Sequence, residues 1–173
     1  MITRKSINII LIGMMGSGKS TVGKILAEKT DLKYVDIDQL IEEHSRRSIR
    51  EIFASEGEAR FRVLESDVVQ DVTKNSGQII STGGGVVLKD NNINLLKSSG
   101  MIFHLHAASK VLKERIESDT GVRPLLLADD PEVKLRKLWK SRLPLYQKTA
   151  DFEINTEKYN PVEIADEIIK IVR

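Results

Sequence analysis

Short apolar runs recur along the chain, separated by stretches of helical spacing. The first, Ile7 to Ile12, is rich in β-branched residues and reads as a buried parallel strand. Further strands are predicted at Lys33 to Asp38, Gln78 to Thr82, Met101 to Leu105 and Asp151 to Asn155. The helix after the first strand, Lys19 to Lys29, places Val22, Ile25 and Leu26 on one side with no proline. Strands alternating with helices in this way argue for an α/β fold, a parallel sheet covered on both faces. Such sheets bind ligands beyond the carboxyl ends of their strands.

The segment from Gln39 to Asn75 is helical by pattern, with Phe61, Leu64, Val68 and Val72 on one stripe. A crossover between parallel strands needs only about a dozen residues, so this longer insertion is expected to build a substrate pocket. Ser109 is placed to cap a helix carrying Val111, Leu112 and Ile116. Glu117 to Asp129 has little periodicity and contains Gly121 and Arg123-Pro124-Leu125-Leu126-Leu127, which reads as a mobile lid. Asp130 as N-cap and Pro131 at the first helical position open another helix, expected to end near Pro144. Asn160-Pro161 repeats that signature before a closing helix whose Ala165, Ile168, Ile169 and Val172 face the core.

Composition adds limits rather than direction. A chain of 173 residues makes one domain with a core of its own. A net charge of +2, with no long Lys/Arg run, gives no reason to expect a nucleic-acid partner. There is no cysteine, hence no disulfide framework and no thiolate metal site. The N-terminus runs directly into the first strand, which leaves no room for a signal peptide, and no apolar stretch approaches the roughly 18 residues of a membrane span. A cytoplasmic enzyme is expected.

The chemistry starts at Gly13-Met14-Met15-Gly16-Ser17-Gly18-Lys19-Ser20, which matches the phosphate-binding pattern G-x-x-x-x-G-K-[ST] between a strand and a helix. Glycines at 13, 16 and 18 let the backbone N–H groups converge on an anion at a helix N-terminus. Lys19 can reach the β- and γ-phosphates, and the Ser20 hydroxyl can ligate Mg²⁺. This arrangement binds a nucleoside triphosphate.

Other residues are less committed. Asp36 and Asp38, two apart at a strand end, would point to the same side and could hold Mg²⁺ through water and orient a hydroxyl, or else form a solvated strand-to-loop junction. Arg62 can pair with Glu65 or lie on a solvated helix face. Arg142 shares a face with Leu135, Leu138 and Trp139, so its guanidinium either meets an anion or snorkels past the leucines to water. Thr82-Gly83-Gly84-Gly85 allows close backbone approach to a small ligand, or is a bare turn. Arg123 in the lid could stabilise charge on a transferring phosphoryl group. Arg115 could flank the nucleotide base or be a helix-surface arginine. His104 and His106, two apart on a strand, lack a third ligand of metal-site spacing and read as packed or hydrogen-bonded imidazoles.

Together these motifs resemble the shikimate kinase family. The matching pieces are Gly13 to Thr21, Asp36-Ile37-Asp38, Phe61-Arg62-x-x-Glu65, Gly83-Gly84-Gly85, Arg123-Pro124-Leu125-Leu126 and Arg142-x-x-x-Tyr146-x-x-x-Ala150, in that order over nearly the whole chain. The resemblance implies a P-loop kinase fold of nucleoside-monophosphate-kinase type, with five parallel strands in the order 2-3-1-4-5. It implies transfer of the ATP γ-phosphoryl group to the 3-hydroxyl of shikimate; a monomer is expected, with Mg²⁺ held by Ser20 and, through water, Asp36. ATP would lie on Gly16, Ser17, Gly18, Lys19, Ser20 and Thr21, with Arg115 near the adenine and Arg123 over the phosphates. Lys19, Asp38 and Arg123 would be catalytic, and Asp38, Arg62, Gly84 and Arg142 would hold shikimate. Asn155 stands where family members often carry Asp. Rival readings are gluconate kinase, a nucleoside monophosphate kinase and a GTPase-type switch; against the last, N-K-x-D is absent and the third strand ends without D-x-x-G.

Overall fold

Every side chain of β1 (Asn8–Ile12) is buried, and the strand's alternation divides its apolar residues between two cores. Ile10 and Ile12 enter one, Ile9 and Leu11 the other. The computed structural model describes residues 7–118 and 130–172. In it β2 (Lys33–Asp36), β3 (Gln78–Ser81), β4 (Gly100–His106) and β5 (Phe152–Asn155) join β1 in a sheet of order β2-β3-β1-β4-β5. Each neighbouring pair runs parallel. This is the strand order expected of the nucleoside-monophosphate-kinase type.

The helices are α1 (Lys19–Thr30), α2 (Ile37–Ser45), α3 (Ile49–Val72), α4 (Asp90–Ser99), α5 (Ser109–Glu117), α6 (Pro131–Thr149) and α7 (Pro161–Val172). Val22 and Leu26 of α1 and Ile164, Ala165, Ile168 and Ile169 of α7 close the core over Ile9 and Leu11. The opposite core joins Ile10, Ile12, Val35, Ile80 and Ile102 to α2, α3, α4, α5 and α6, through Ile41, Val68, Leu96, Leu112 and Tyr146 among others. Both faces of the sheet are therefore dry, as a parallel sheet requires.

Several local expectations need correction. The second strand stops at Asp36, because the Asp36 carboxylate accepts from the backbone N–H of Asp38 and Gln39 and starts a helix there. Asp36 and Asp38 are thus an N-cap and a first-turn residue, and they do not project side by side from a strand. Ser109 is the first residue of α5 rather than its cap; Ala108 occupies that position without a side-chain hydrogen bond. The sixth helix does not end at Pro144 but runs to Thr149. Proline forfeits one backbone hydrogen bond, yet Tyr146 and Thr149 beyond it are buried and hold the last turn in the core. Helix α4, whose Asn92 and Leu96 are buried, was not anticipated because its sequence is mostly polar. The proposed lid, Glu117 to Asp129, begins on the last residue of α5 and from residue 119 lies outside the described residues, as does Arg123.

Asn8 ties the sheet's entry together. Its side-chain oxygen accepts from Gln78 N at 3.0 Å and its nitrogen donates to Asn75 O at 2.9 Å, linking β1 to the start of β3. Asn8→Ala leaves the buried Gln78 N–H unpaired, while Asn75 O keeps Gln78 Nε2 at 3.3 Å, and is expected to cost about 2 kcal/mol of stability in urea denaturation. A loss below about 0.5 kcal/mol would show that these bonds are not structural.

Candidate active site

The glycine loop joins β1 to α1 at the carboxyl edge of the sheet. Gly18 caps α1 in the left-handed region at φ 93°, which a side chain would strain, and a Cβ on Gly13 would collide with Leu105 O. Lys19 folds back along the loop, donating to Gly13 O at 2.8 Å and Met14 O at 2.9 Å. Ser17 is fully buried, while Ser20 and Thr21 are exposed at the start of the helix.

Asp36 connects this loop to α2. Its Oδ1 caps the helix, while its Oδ2 accepts from Tyr34 Oη at 2.9 Å and Ser20 Oγ at 3.3 Å. Ser20 and Asp36 thus offer hard oxygen donors side by side, a set suited to Mg²⁺, which takes few protein ligands and keeps waters and phosphate oxygens as the rest. The cap on α2 turns Asp38 away from them.

Asp38 instead lines a cleft of about 490 Å³ together with Arg62, Glu65, Arg142 and the triple-glycine loop. Three polar atoms there, Asp38 Oδ1, Glu65 Oε1 and Arg142 Nη1, are buried with no hydrogen-bond partner among the described residues. They converge: a Cβ on Gly83 would lie 2.8 Å from Asp38 Oδ1 and 3.0 Å from Glu65 Oε1, and one on Gly84 would lie 3.6 Å from Arg142 Nη1 and 3.5 Å from Gly13 O. Glycines are needed because the backbone itself forms this wall. Met15, Phe53, Phe61 and Ile49 supply the apolar side.

Arg62 is held in place by Glu65 Oε2 at 2.8 Å and Glu58 Oε1 at 2.9 Å, with its guanidinium 5.0 Å from the Phe61 ring centre. The solvated-face reading of Arg62 therefore fails. Arg142 is 3% exposed, which excludes a side chain that snorkels to water. Burial pushes the Glu65 carboxyl above its usual range, against the pull of Arg62.

Arg115 sits on the other side of the glycine loop, donating to Thr156 Oγ1 and Thr156 O at 2.8 Å each and to Gly16 O at 3.4 Å. It therefore bridges the loop to the segment after β5. Asn155 accepts from Glu157 N at 2.8 Å, a local turn that the Asp common in the family could make equally well. His104 is packed: Nδ1 meets Glu153 Oε1 at 3.0 Å, and the ring stacks on Tyr146 with 4.9 Å between centres. Trp139 donates to Ala107 O and borders the core.

The family model for shikimate kinase matches residues 15–173. A shikimate kinase of Thermodesulfovibrio yellowstonii is 47% identical over 163 residues, covering 94% of this chain and 93% of that protein. One from a Sulfurihydrogenibium species is 42% identical, covering 96% and 98% of the two chains. The chain belongs to the shikimate kinase family. Among solved structures, the Acinetobacter baumannii shikimate kinase in complex with shikimate superposes with a TM-score of 0.92 at 36% identity, covering 97% of this chain and 94% of that one. The Aquifex aeolicus shikimate kinase gives 0.80 at 33%, covering 96% of each.

The motif residues of this kinase divide into three groups. Asp38, Arg62, Gly84 and Arg142 meet in the cleft; Lys19, Ser20 and Asp36 meet beside it; Arg115 stands apart at the far side of the loop. Tyr34 and Glu58 belong to none of the motifs, although Glu58 lies four residues before Arg62, a helical neighbour by spacing. Tyr146, four after Arg142, was visible in the motif without a role.

Burial, then the charges of Asp36 and Glu65, push the Asp38 carboxyl up to about 6 from its ordinary 3.8. A value raised on folding favours the protonated form, so its stabilising contribution is complete below the unfolded value and is lost as pH rises through about 6. Ionised Asp38 therefore costs stability at neutral pH. Asp38→Asn is expected to stabilise the protein by about 2 kcal/mol at pH 7.5 and by little at pH 4. Denaturation at both pH values checks this, and the same difference at each would contradict it.

Proposed function

We propose that ATP binds the glycine loop and shikimate the adjoining cleft, and that the γ-phosphoryl group passes to the shikimate 3-hydroxyl, giving shikimate 3-phosphate and ADP. The observation that carries this is the convergence of Asp38 Oδ1, Glu65 Oε1 and Arg142 Nη1, unpartnered among the described residues, on a cleft beside Gly13. Shikimate offers what those atoms lack: hydroxyl donors for the carboxylates and a carboxylate for the arginine. The shikimate complex of the Acinetobacter baumannii enzyme supports the same reading.

In this scheme Arg142 and Arg62 take the shikimate carboxylate and fix one end of the ring. Asp38 accepts a hydrogen bond from the 3-hydroxyl, turns its oxygen toward the γ-phosphorus and receives its proton as the new P–O bond forms. The bond to the β–γ bridging oxygen breaks, and ADP carries that electron pair away. Backbone N–H groups of Gly16 to Thr21 and the Lys19 ammonium hold the phosphates; Lys19 leaves the loop carbonyls to reach them. Mg²⁺, when bound, screens the charge of the β- and γ-phosphates; Ser20 directly and Asp36 through water would hold it. Arg115 would flank the adenine, and Arg123, from the expected 117–129 lid, would complete the charge stabilisation.

The 39–75 insertion is the substrate-binding part of a single kinase domain, 1–173. We assign the enzyme to the cytoplasm as a monomer without nucleic-acid or membrane partners; no described helix is long and apolar enough to cross a membrane.

ADP release from Mg²⁺-ATP, followed with and without shikimate, tests the proposal. Stimulation of about 100-fold or more is expected. Turnover on gluconate but not on shikimate would overturn the acceptor assignment and keep the nucleotide site.

A further inference from the structure

The three peptides of Gly83-Gly84-Gly85 are not held alike. Gly83 O accepts from Val86 N at 3.2 Å and Gly85 O from Leu88 N at 3.0 Å, both within the turn that follows. The Gly84 carbonyl is instead taken by a side chain from another element, the Tyr146 hydroxyl of α6. A glycine peptide has no Cβ to limit its rotation, so this one hydrogen bond decides how the middle of the loop is presented to the cleft.

Tyr146 is itself immobilised. It is 1% exposed, and its ring stacks on His104, which Glu153 anchors from the neighbouring strand. Burial pushes the phenol up to about 12, so it remains a donor throughout the neutral range. Arg142 lies one helical turn before it on the same face of α6, and its charge acts on the phenol. A Cβ on Gly84 would find Tyr146 Oη at 3.5 Å and Arg142 Nη1 at 3.6 Å, so the hydroxyl, the guanidinium and the glycine backbone meet at one point.

We propose that Tyr146 is a positioning residue for the acceptor: its hydroxyl fixes the Gly84 peptide against Arg142, so that backbone and guanidinium receive shikimate as one rigid unit. The assignment rests on the reading of the cleft as the shikimate site. It places the effect on acceptor binding and not on the nucleotide, because the Tyr146 hydroxyl bonds the triple-glycine loop and no residue between Gly13 and Thr21 among the described residues.

Tyr146→Phe, which removes only the hydroxyl, tests it. Trp139, the single tryptophan, is on the same helix and can report shikimate and ATP binding by fluorescence in both proteins. The variant is expected to raise the shikimate Kd and KM about tenfold, while the ATP Kd and kcat at saturating shikimate stay within about threefold. A lowered melting temperature with both affinities unchanged would make the bond structural only and overturn the proposal, as would equal losses for both substrates. Should the hydroxyl prove essential to folding, His104→Leu, which keeps it but removes the imidazole stacked on its ring together with the bond to Glu153, is expected to raise the shikimate Kd about two- to fivefold with ATP unaffected. Absence of that selective rise would equally overturn it. Wild-type protein that bound ATP but not shikimate would remove the underlying site assignment, and the proposal with it.

Discussion

Desolvation of charge governs this molecule. Asp38, Glu65 and Arg142 are held where polar atoms of each have left water without gaining a partner among the described residues. Buried groups left unpaired cost roughly 1 to 3 kcal/mol each, and more when charged. A fold keeps such groups only where the surrounding structure holds them, and here it does so from three directions. The α2 cap brings in Asp38, the Glu58–Arg62–Glu65 cluster fixes α3, and the Tyr146 clamp fixes α6. A ligand that supplies hydroxyls and a carboxylate relieves all three at once. Affinity and specificity then have a common source.

The sheet explains why this cleft lies beside the phosphate loop. In the order β2-β3-β1-β4-β5, β3 stands between β2 and β1, so the triple-glycine loop leaving β3 passes between the chain leaving β2 and the loop leaving β1. Asp36 joins the same parts from the other side, capping α2 with one oxygen and meeting Ser20 with the other. Displacing Asp36 would disturb both the set of oxygens suited to a cation and the start of the helix that carries Asp38.

The glycine loop, the five strands and the pairing of Arg62 with Glu65 were legible in the sequence because each is local: contiguous apolar runs, a fixed spacing of glycines, two side chains one helical turn apart. Arg142 was legible only as a dilemma. Its apolar neighbours on α6 allowed either a buried guanidinium meeting an anion or a stem that snorkels to water, and gave no sign that it would meet the Gly84 backbone from a distant element. Asp36 was misread for a different reason. Strand alternation and an N-cap both fit Lys33 to Asp38, and the choice fell to hydrogen bonds from Asp38 N and Gln39 N that spacing does not reveal. Pro144 signals a helix end by propensity, yet burial of Tyr146 and Thr149 outweighs one lost hydrogen bond. Glycine freedom at 83 to 85 was evident, whereas the tyrosine that restrains it lies some sixty residues away along the chain.

Calorimetric titration of shikimate into the protein between pH 5 and pH 8 decides whether an ionised Asp38 receives the acceptor, as proposed. With the free carboxyl near 6, shikimate hydroxyls that donate to its charged form must displace a proton at low pH. Affinity is expected to fall as pH drops through about 6, with heats that vary with buffer ionisation in that range and with neither effect in Asp38→Asn. An affinity independent of pH across the range, with no proton released, would contradict it.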